Sequence, residues 1–228
     1  MKFRLDREAI AMRVAKEFHD GQCVNLGVGI GTLTSSFLPE DKTIMLHSEN
    51  GIIGFGRVLH ADEMDQIDLN LANPGGQFVT PKPGMSFCSE CEAFAMVRGG
   101  HVDVAVLGAH QVSQEGDLAN WMFPRSELPS SGVPVLGGAM DIAIGAKQVI
   151  VAMTHTTKTG LPKIVRHCTY PITARYCVNL VVTDVAVIGV TDAGLVLKEY
   201  CPGWTVEDIQ AITEPKLIVS EDLQEMTL

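Results

Sequence analysis

The chain has 228 residues, of which 46% are hydrophobic and 19% charged, ordinary values for a soluble domain that buries a sizeable core. Its formal net charge of −10 repels phosphate backbones and argues against nucleic acid as the main partner. No apolar run reaches the length of a membrane span, and Met1–Asp20 alternates charged and apolar residues without the apolar centre of a signal peptide, so a cytoplasmic location is expected.

Leu5–Asp20 reads as an amphipathic helix: Ile10, Val14 and Phe18 recur every four residues and Gly21 stops the pattern. Cys23–Leu26 is a short buried strand that breaks into Gly27-Val28-Gly29-Ile30-Gly31, with a second short helix from Thr32. Thr43–His47 is another buried strand and ends in Ser48-Glu49-Asn50-Gly51. Asn73–Gly84 is loop-like, Glu90–Arg98 helical, and Val102–Leu107 a strand closed by Gly108. Gln111–Pro134 is polar and Pro-interrupted, which predicts a surface excursion. Met140–Ala146 is helical and Gln148–Met153 a strand. Leu180–Val190 and Leu195–Glu199 form a late strand pair turned near Asp192-Ala193-Gly194. Val206–Ile212 is a short helix and Leu217–Val219 a last strand. No linker interrupts this order, so residues 1–228 are expected to form one domain. Helices alternating with buried strands predict an α/β fold, an open mixed, largely parallel sheet with flanking helices.

Three places are suited to chemistry. Asn25–Thr32 runs from a strand through glycines into a helix, a geometry whose free N–H groups suit an anion. As a dinucleotide fingerprint, with Glu49 as the acid roughly 20 residues on, it fails where Thr32 replaces the third Gly or Ala; a tight turn without ligand is the plain alternative. Glu49 is either an exposed turn residue or a nucleophile or base at the mouth of a sheet, where ligands of open α/β sheets gather. Gly137-Gly138 before a helix presents N–H groups suited to a developing oxyanion, or is only a turn.

Other features read as structural. The six cysteines, Cys23, Cys88, Cys91, Cys168, Cys177 and Cys201, mostly sit in apolar runs, which fits reduced, buried thiols. Cys88-Ser89-Glu90-Cys91 has no second Cys or His pair at zinc spacing, so no metal is expected. No Gly-x-Ser-x-Gly elbow occurs, which argues against a serine hydrolase. Lys158, Lys163, Arg166 and His167 make a local basic stretch, either a solvated loop or a phosphate contact.

Five segments in order carry a resemblance over nearly the whole chain: Val24–Gly29, Ser48–Gly51, Phe94–His101, Gly116–Trp121 and Gly137–Asp141. Together they resemble the B (β) subunit of the 3-oxoacid CoA-transferases, the family I enzymes. The resemblance implies the CoA-transferase / NagB-RpiA-like fold. It implies Glu49 as nucleophile, a backbone N–H at Gly138 for the oxyanion, and Asn25 in the site. Gly27, Gly29, Asn50, Gly51 and Gly137 are the accompanying candidates for contact with substrate or CoA. It further implies CoA as a substrate rather than a tightly bound cofactor, and an A (α) subunit as partner. The usual Gly-Met-Gly-Gly-Ala run stands here as Val135-Leu136-Gly137-Gly138-Ala139, the usual Asn-Ala-Gly as Asn73-Pro74-Gly75, and Ala93 replaces a common Ser. These departures leave the acyl substrate open among acetoacetate, 3-oxoadipate, succinate, butyrate and relatives. The rival readings are an acyl-CoA hydrolase, a sugar-phosphate isomerase on a related fold, and a non-catalytic protein that binds CoA or a nucleotide.

Overall fold

The structure, a computed structural model, describes residues 2–59, 62–63, 65, 67–123 and 136–228. Its centre is five parallel strands: β1 (Cys23–Leu26), β2 (Met45–His47), β5 (Val104–Leu107), β8 (Gln148–Met153) and β10 (Val178–Thr183), in the order β2-β1-β5-β8-β10. At one edge β3 (Ile52–Ile53) and β4 (Ser86–Phe87) continue antiparallel. At the other, β11 (Ala186–Thr191) and β12 (Gly194–Tyr200) do the same, and β13 (Leu217–Glu225) closes parallel to β12. The sheet is thus mixed, and its parallel centre is covered by helices, as the sequence predicts. Every residue of β1 and β5 is buried, the signature of strands covered on both faces.

The chain leaves β1 toward β2, then returns to pair β5 on the other side of β1, so the strand order reverses between β1 and β5. A reversal of this kind leaves a crevice at the carboxyl ends of the two strands.

The helix α1 spans Arg7–Ala15, shorter than the Leu5–Asp20 expected. Asp6 caps it, accepting from the Ala9 N–H at 2.8 Å. Ile10, Val14 and Phe18 are nevertheless all buried, because the stripe continues into the loop beyond the last helical turn. The second helix, α2 (Ile30–Leu33), starts two residues before Thr32 and runs into a 3-10 turn over Thr34–Phe37. Helix α3 occupies Glu90–Arg98, as predicted, with a capping box between Ser89 and Glu92. It packs on α4 (Ala139–Gly145), which lies against β5. The last helix, α5, is Val206–Ala211.

Two expectations are corrected. Gln111–Pro134 was expected on the surface. Instead β6 (Gln111–Ser113) and β7 (Leu118–Ala119) are buried and join β9 (Ile164–Val165) in a second, three-stranded sheet; residues 124–134 lie outside the described residues. The polar side chains that suggested exposure are satisfied inside: Gln111 Oε1 accepts from the N–H groups of Thr169 (2.8 Å) and Tyr170 (3.1 Å), and Ser113 Oγ from that of Asp117 (2.9 Å). The second correction concerns Leu180–Val190, which is two antiparallel strands rather than one. Thr183 Oγ1 folds the chain between them by accepting from the N–H groups of Val185 (3.2 Å) and Ala186 (3.0 Å). The Asp192–Gly194 turn falls where expected, between β11 and β12.

Candidate active site

Glu49 lies two residues past the end of β2, at the carboxyl end of the parallel sheet. The turn that carries it is closed by the Gly51 N–H donating to Ser48 O at 3.0 Å. Gly51 has φ +93°, and a Cβ there would collide with the Cys88 carbonyl, so only glycine allows this turn to sit against the chain entering α3. Asn50 also serves the turn: its Oδ1 accepts from Ser48 Oγ (2.6 Å) and its amide donates to Ala72 O (2.7 Å).

The crevice at the strand reversal is an open cleft of about 450 Å³. Its wall includes Gly27 and Val28 after β1, Glu49 after β2, Leu107–His110 after β5, Asn120 and Trp121 after β7, and Leu136–Ala139 leading into α4. Of the residues predicted for the site, Gly27, Glu49, Gly137 and Gly138 therefore share one cleft. Asn25 lies buried behind it, Gly29 lines an adjoining hollow with Arg7 and Val28, and Asn50 and Gly51 shape the turn under Glu49. Gly27 allows close approach: its N–H donates to Val106 O at 2.8 Å, and a Cβ would stand 2.9 Å from that oxygen.

Burial pushes the Glu49 carboxyl above the ordinary carboxylate range, the nearby Glu90 carboxylate adds to the rise, and the Asn25 amide acts the other way. A more basic carboxylate is the stronger nucleophile once ionised. Glu49 has no ion-pair partner among the described residues, so its charge is not committed to a structural bridge. Gly138, which lines the same cleft, is the N-cap of α4, and its N–H finds no acceptor among the described residues. A backbone donor at the start of a helix beside the cleft suits a developing oxyanion. Gly138 is pressed on the Phe94 ring of α3: an added Cβ would lie 2.7 Å from Phe94 Cζ.

His110, Asn120 and Trp121 were not among the predicted site residues. His110 stacks on Phe123 at 4.0 Å between centroids, and burial, with Lys163 nearby, lowers its pKa. Asn120 is held by Thr173, whose hydroxyl donates to its Oδ1 at 2.7 Å. The available signal was that Asn120 and Trp121 close the segment Gly116–Trp121, one of the five that carry the resemblance. Of the basic stretch, Lys163 is half-buried and its pKa is lowered by burial to about 8; none of its members lines the cleft. The thiols depart from the expected burial: Cys23 and Cys201 are buried, Cys88, Cys168 and Cys177 are half-buried and Cys91 is exposed, and all six are free.

The chain matches the Coenzyme A transferase family model over residues 7–211. It is 45% identical over 222 residues to the beta chain of acetate CoA-transferase from Haemophilus influenzae, covering 97% of this chain and 96% of that one. It is also 45% identical over 215 residues to the B chain of 3-oxoadipate CoA-transferase from Acinetobacter baylyi, covering 94% and 96%. The fold is similar to the crystal structure of an acyl-CoA transferase from Escherichia coli O157:H7, with a TM-score of 0.72 at 22% identity over 99% of this chain and 45% of that one. Glu49 and the helix-start Gly138 line one crevice at the strand reversal, and the similarity extends over nearly the whole length: the chain belongs to the coenzyme A transferase family.

Proposed function

We propose that this chain is the catalytic half of a two-chain CoA-transferase that moves CoA from a short acyl-CoA to a carboxylic acid such as a 3-oxo acid, with Glu49 as nucleophile. The observation that carries the proposal is the half-buried Glu49 carboxylate, free of any ion pair among the described residues, lining one cleft with Gly138, whose N–H has no acceptor among the described residues. A carboxylate oxygen of Glu49 attacks the thioester carbonyl, the C–S bond breaks, and CoA leaves as thiolate from a glutamyl–acyl anhydride. The thiolate attacks the glutamyl carbonyl, which releases the donor acid and leaves a glutamyl-CoA thioester. The acceptor carboxylate then repeats both steps in reverse and restores Glu49. Every tetrahedral intermediate carries an oxyanion, for which Gly138 N–H is the donor. No proton is abstracted from either substrate, so no general base beside Glu49 is required, and kinetics are ping-pong. CoA is a substrate in this scheme, and no other cofactor enters it. The free thiols support a reducing, cytoplasmic location.

The test is to incubate the two-chain complex with acyl-CoA and no acceptor. CoA mass is expected on the peptide holding Glu49, borohydride is expected to reduce that thioester and abolish activity, and Glu49→Ala is expected to be inactive. Continued exchange between acyl-CoA and free acid in Glu49→Ala would falsify the assignment. Release of free acid without exchange would make the chain part of a hydrolase instead.

A further inference from the structure

Beneath Glu49 lies a polar pair sealed from solvent: Asn25 of β1 and His47 of β2, partners in the parallel register and each 1% exposed. His47 Nε2 is 3.1 Å from Ala93 O of α3, and His47 Nδ1 is 3.1 Å from Asn25 Nδ2. A carbonyl oxygen only accepts, so the bond to Ala93 requires hydrogen on Nε2. Burial also lowers the His47 pKa, which favours the neutral ring. A neutral ring protonated at Nε2 leaves Nδ1 a pure acceptor. The Asn25 amide must then turn its NH2 toward His47, where it also approaches His47 O at 3.4 Å. The opposite rotamer would set Oδ1 against two acceptors. One sign of this constraint is that Asn25 Oδ1 is buried without any hydrogen-bond partner. An orphaned buried acceptor costs roughly 1–3 kcal/mol, so something else holds the amide in place.

We propose that His47 is a positioning residue: its Nδ1, made an acceptor by the Ala93 carbonyl of α3, fixes in one rotamer the amide of Asn25, buried near the end of β1 beside the strand that leads to Glu49. The inference rests on Glu49 being the nucleophile and adds how its carboxylate is kept ready. Helix α3 thereby serves both sides of the cleft, through Ala93 and His47 toward Glu49 and through Phe94 toward Gly138. The charged groups acting here are Glu49 itself and Glu90 at the start of α3, which opposes ionisation of Glu49.

The two-chain complex is the material for the test. His47→Leu removes the acceptor at similar volume, whereas His47→Gln keeps a neutral side chain with one acceptor and one donor. Expected for Leu is a tenfold to hundredfold fall in kcat, with KM for acyl-CoA within about twofold, and an acidic limb of the pH–rate profile displaced to higher pH. His47→Gln should recover most of kcat and return the limb to its original position. A folded His47→Leu enzyme with unchanged kcat and limb overturns the proposal, as does a Gln variant that fails as badly as Leu. If Leu does not fold, 15N shifts of histidine-labelled wild-type enzyme decide: Nδ1 unprotonated and Nε2 protonated is expected, and the other tautomer overturns it. Failure of the nucleophile reading is distinguishable, because then wild-type enzyme would trap no CoA on Glu49. Normal trapping in His47→Leu, at the wild-type rate, would sink only the positioning role.

Discussion

Gly138 shows how much the cleft demands of one residue. Its N–H has no acceptor among the described residues, and its missing side chain admits the Phe94 ring. Gly138→Ala places a methyl 2.7 Å from Phe94 Cζ, so either the ring or the turn must move. If the turn moves, the donor leaves its line. Loss of one oxyanion donor typically costs about a hundredfold to a thousandfold in turnover. A fall of that order in kcat is expected for Gly138→Ala, with acyl-CoA binding retained. Phe94→Leu in the same chain shortens the obstructing side chain and is expected to restore part of the loss. A variant that loses only thermal stability would reduce Gly138 to a packing glycine. At this scale the sequence is partly legible. The position of Glu49 just past a buried strand is readable, but its role there comes from the family resemblance, since an acid in such a turn reads equally as an exposed turn residue. The turn bonds of Asn50 are not readable, since Ala72 and Ser48 are partners that only the folded turn brings near. His110, Asn120 and Trp121 reach the cleft through the second sheet, whose pairing leaves no local pattern.

At the scale of elements, burial and capping explain what could be foreseen. β1, β8 and α3 match their expected limits because continuous apolar runs or a capping box mark their ends. β6 and β10–β11 depart from expectation where buried hydroxyls and amides satisfy the backbone, so polarity no longer signals exposure. His155 belongs to the same class. It follows β8, is fully buried, and links Thr183 at the β10–β11 turn to Thr213 after α5, with ring-to-hydroxyl distances of 3.0 and 2.8 Å. Because Thr213 Oγ1 donates to Ile209 O at 2.7 Å, it accepts from His155 Nε2–H. Burial lowers the His155 pKa from 6.5 to about 4, against Asp184, which raises it, and with Arg4 and Lys163, which lower it. The folded pKa is below the unfolded one, so protons bind the unfolded chain first. The stability contributed is full above pH 6.5 and is lost as pH falls toward 4. That window corresponds to about 3 kcal/mol. Urea midpoints of the wild-type chain are expected to fall between about pH 7 and 4.5, and those of His155→Gln to fall less steeply over the same interval. Parallel pH dependences in the two proteins would show that other groups carry the acid sensitivity.

The molecule as a whole poses an electrostatic problem that no described residue in its own cleft solves. CoA is a polyanion, the chain carries −10, and the described cleft wall holds Glu49 but neither lysine nor arginine. Arg7 stands only in the adjoining hollow, beside Gly29. A bound CoA would therefore meet a like-charged surface unless cations come from elsewhere. The cleft is also open, and Val28 on its wall and Met140 and Ile144 on α4 are 64%, 46% and 67% exposed. Apolar side chains left bare beside an unfinished site favour coverage by another protein surface. Relatives whose names mark them as one chain of a pair point the same way. This chain is therefore expected to be inactive alone and to require an α chain that closes the cleft and supplies positive charge. The two chains would be purified separately and mixed, and transfer between acyl-CoA and a free 3-oxo acid measured at several salt concentrations. Turnover is expected only in the mixture, with co-elution at a mass of at least one copy of each chain. KM for acyl-CoA is expected to rise with salt, as attraction from the partner's cations is screened. A stable complex of this kind should bury upward of about 1,200 Å² in total. Full transferase activity from this chain alone would refute the two-chain arrangement. Activity in the mixture with a salt-independent KM would keep the partner but remove the electrostatic reason for it.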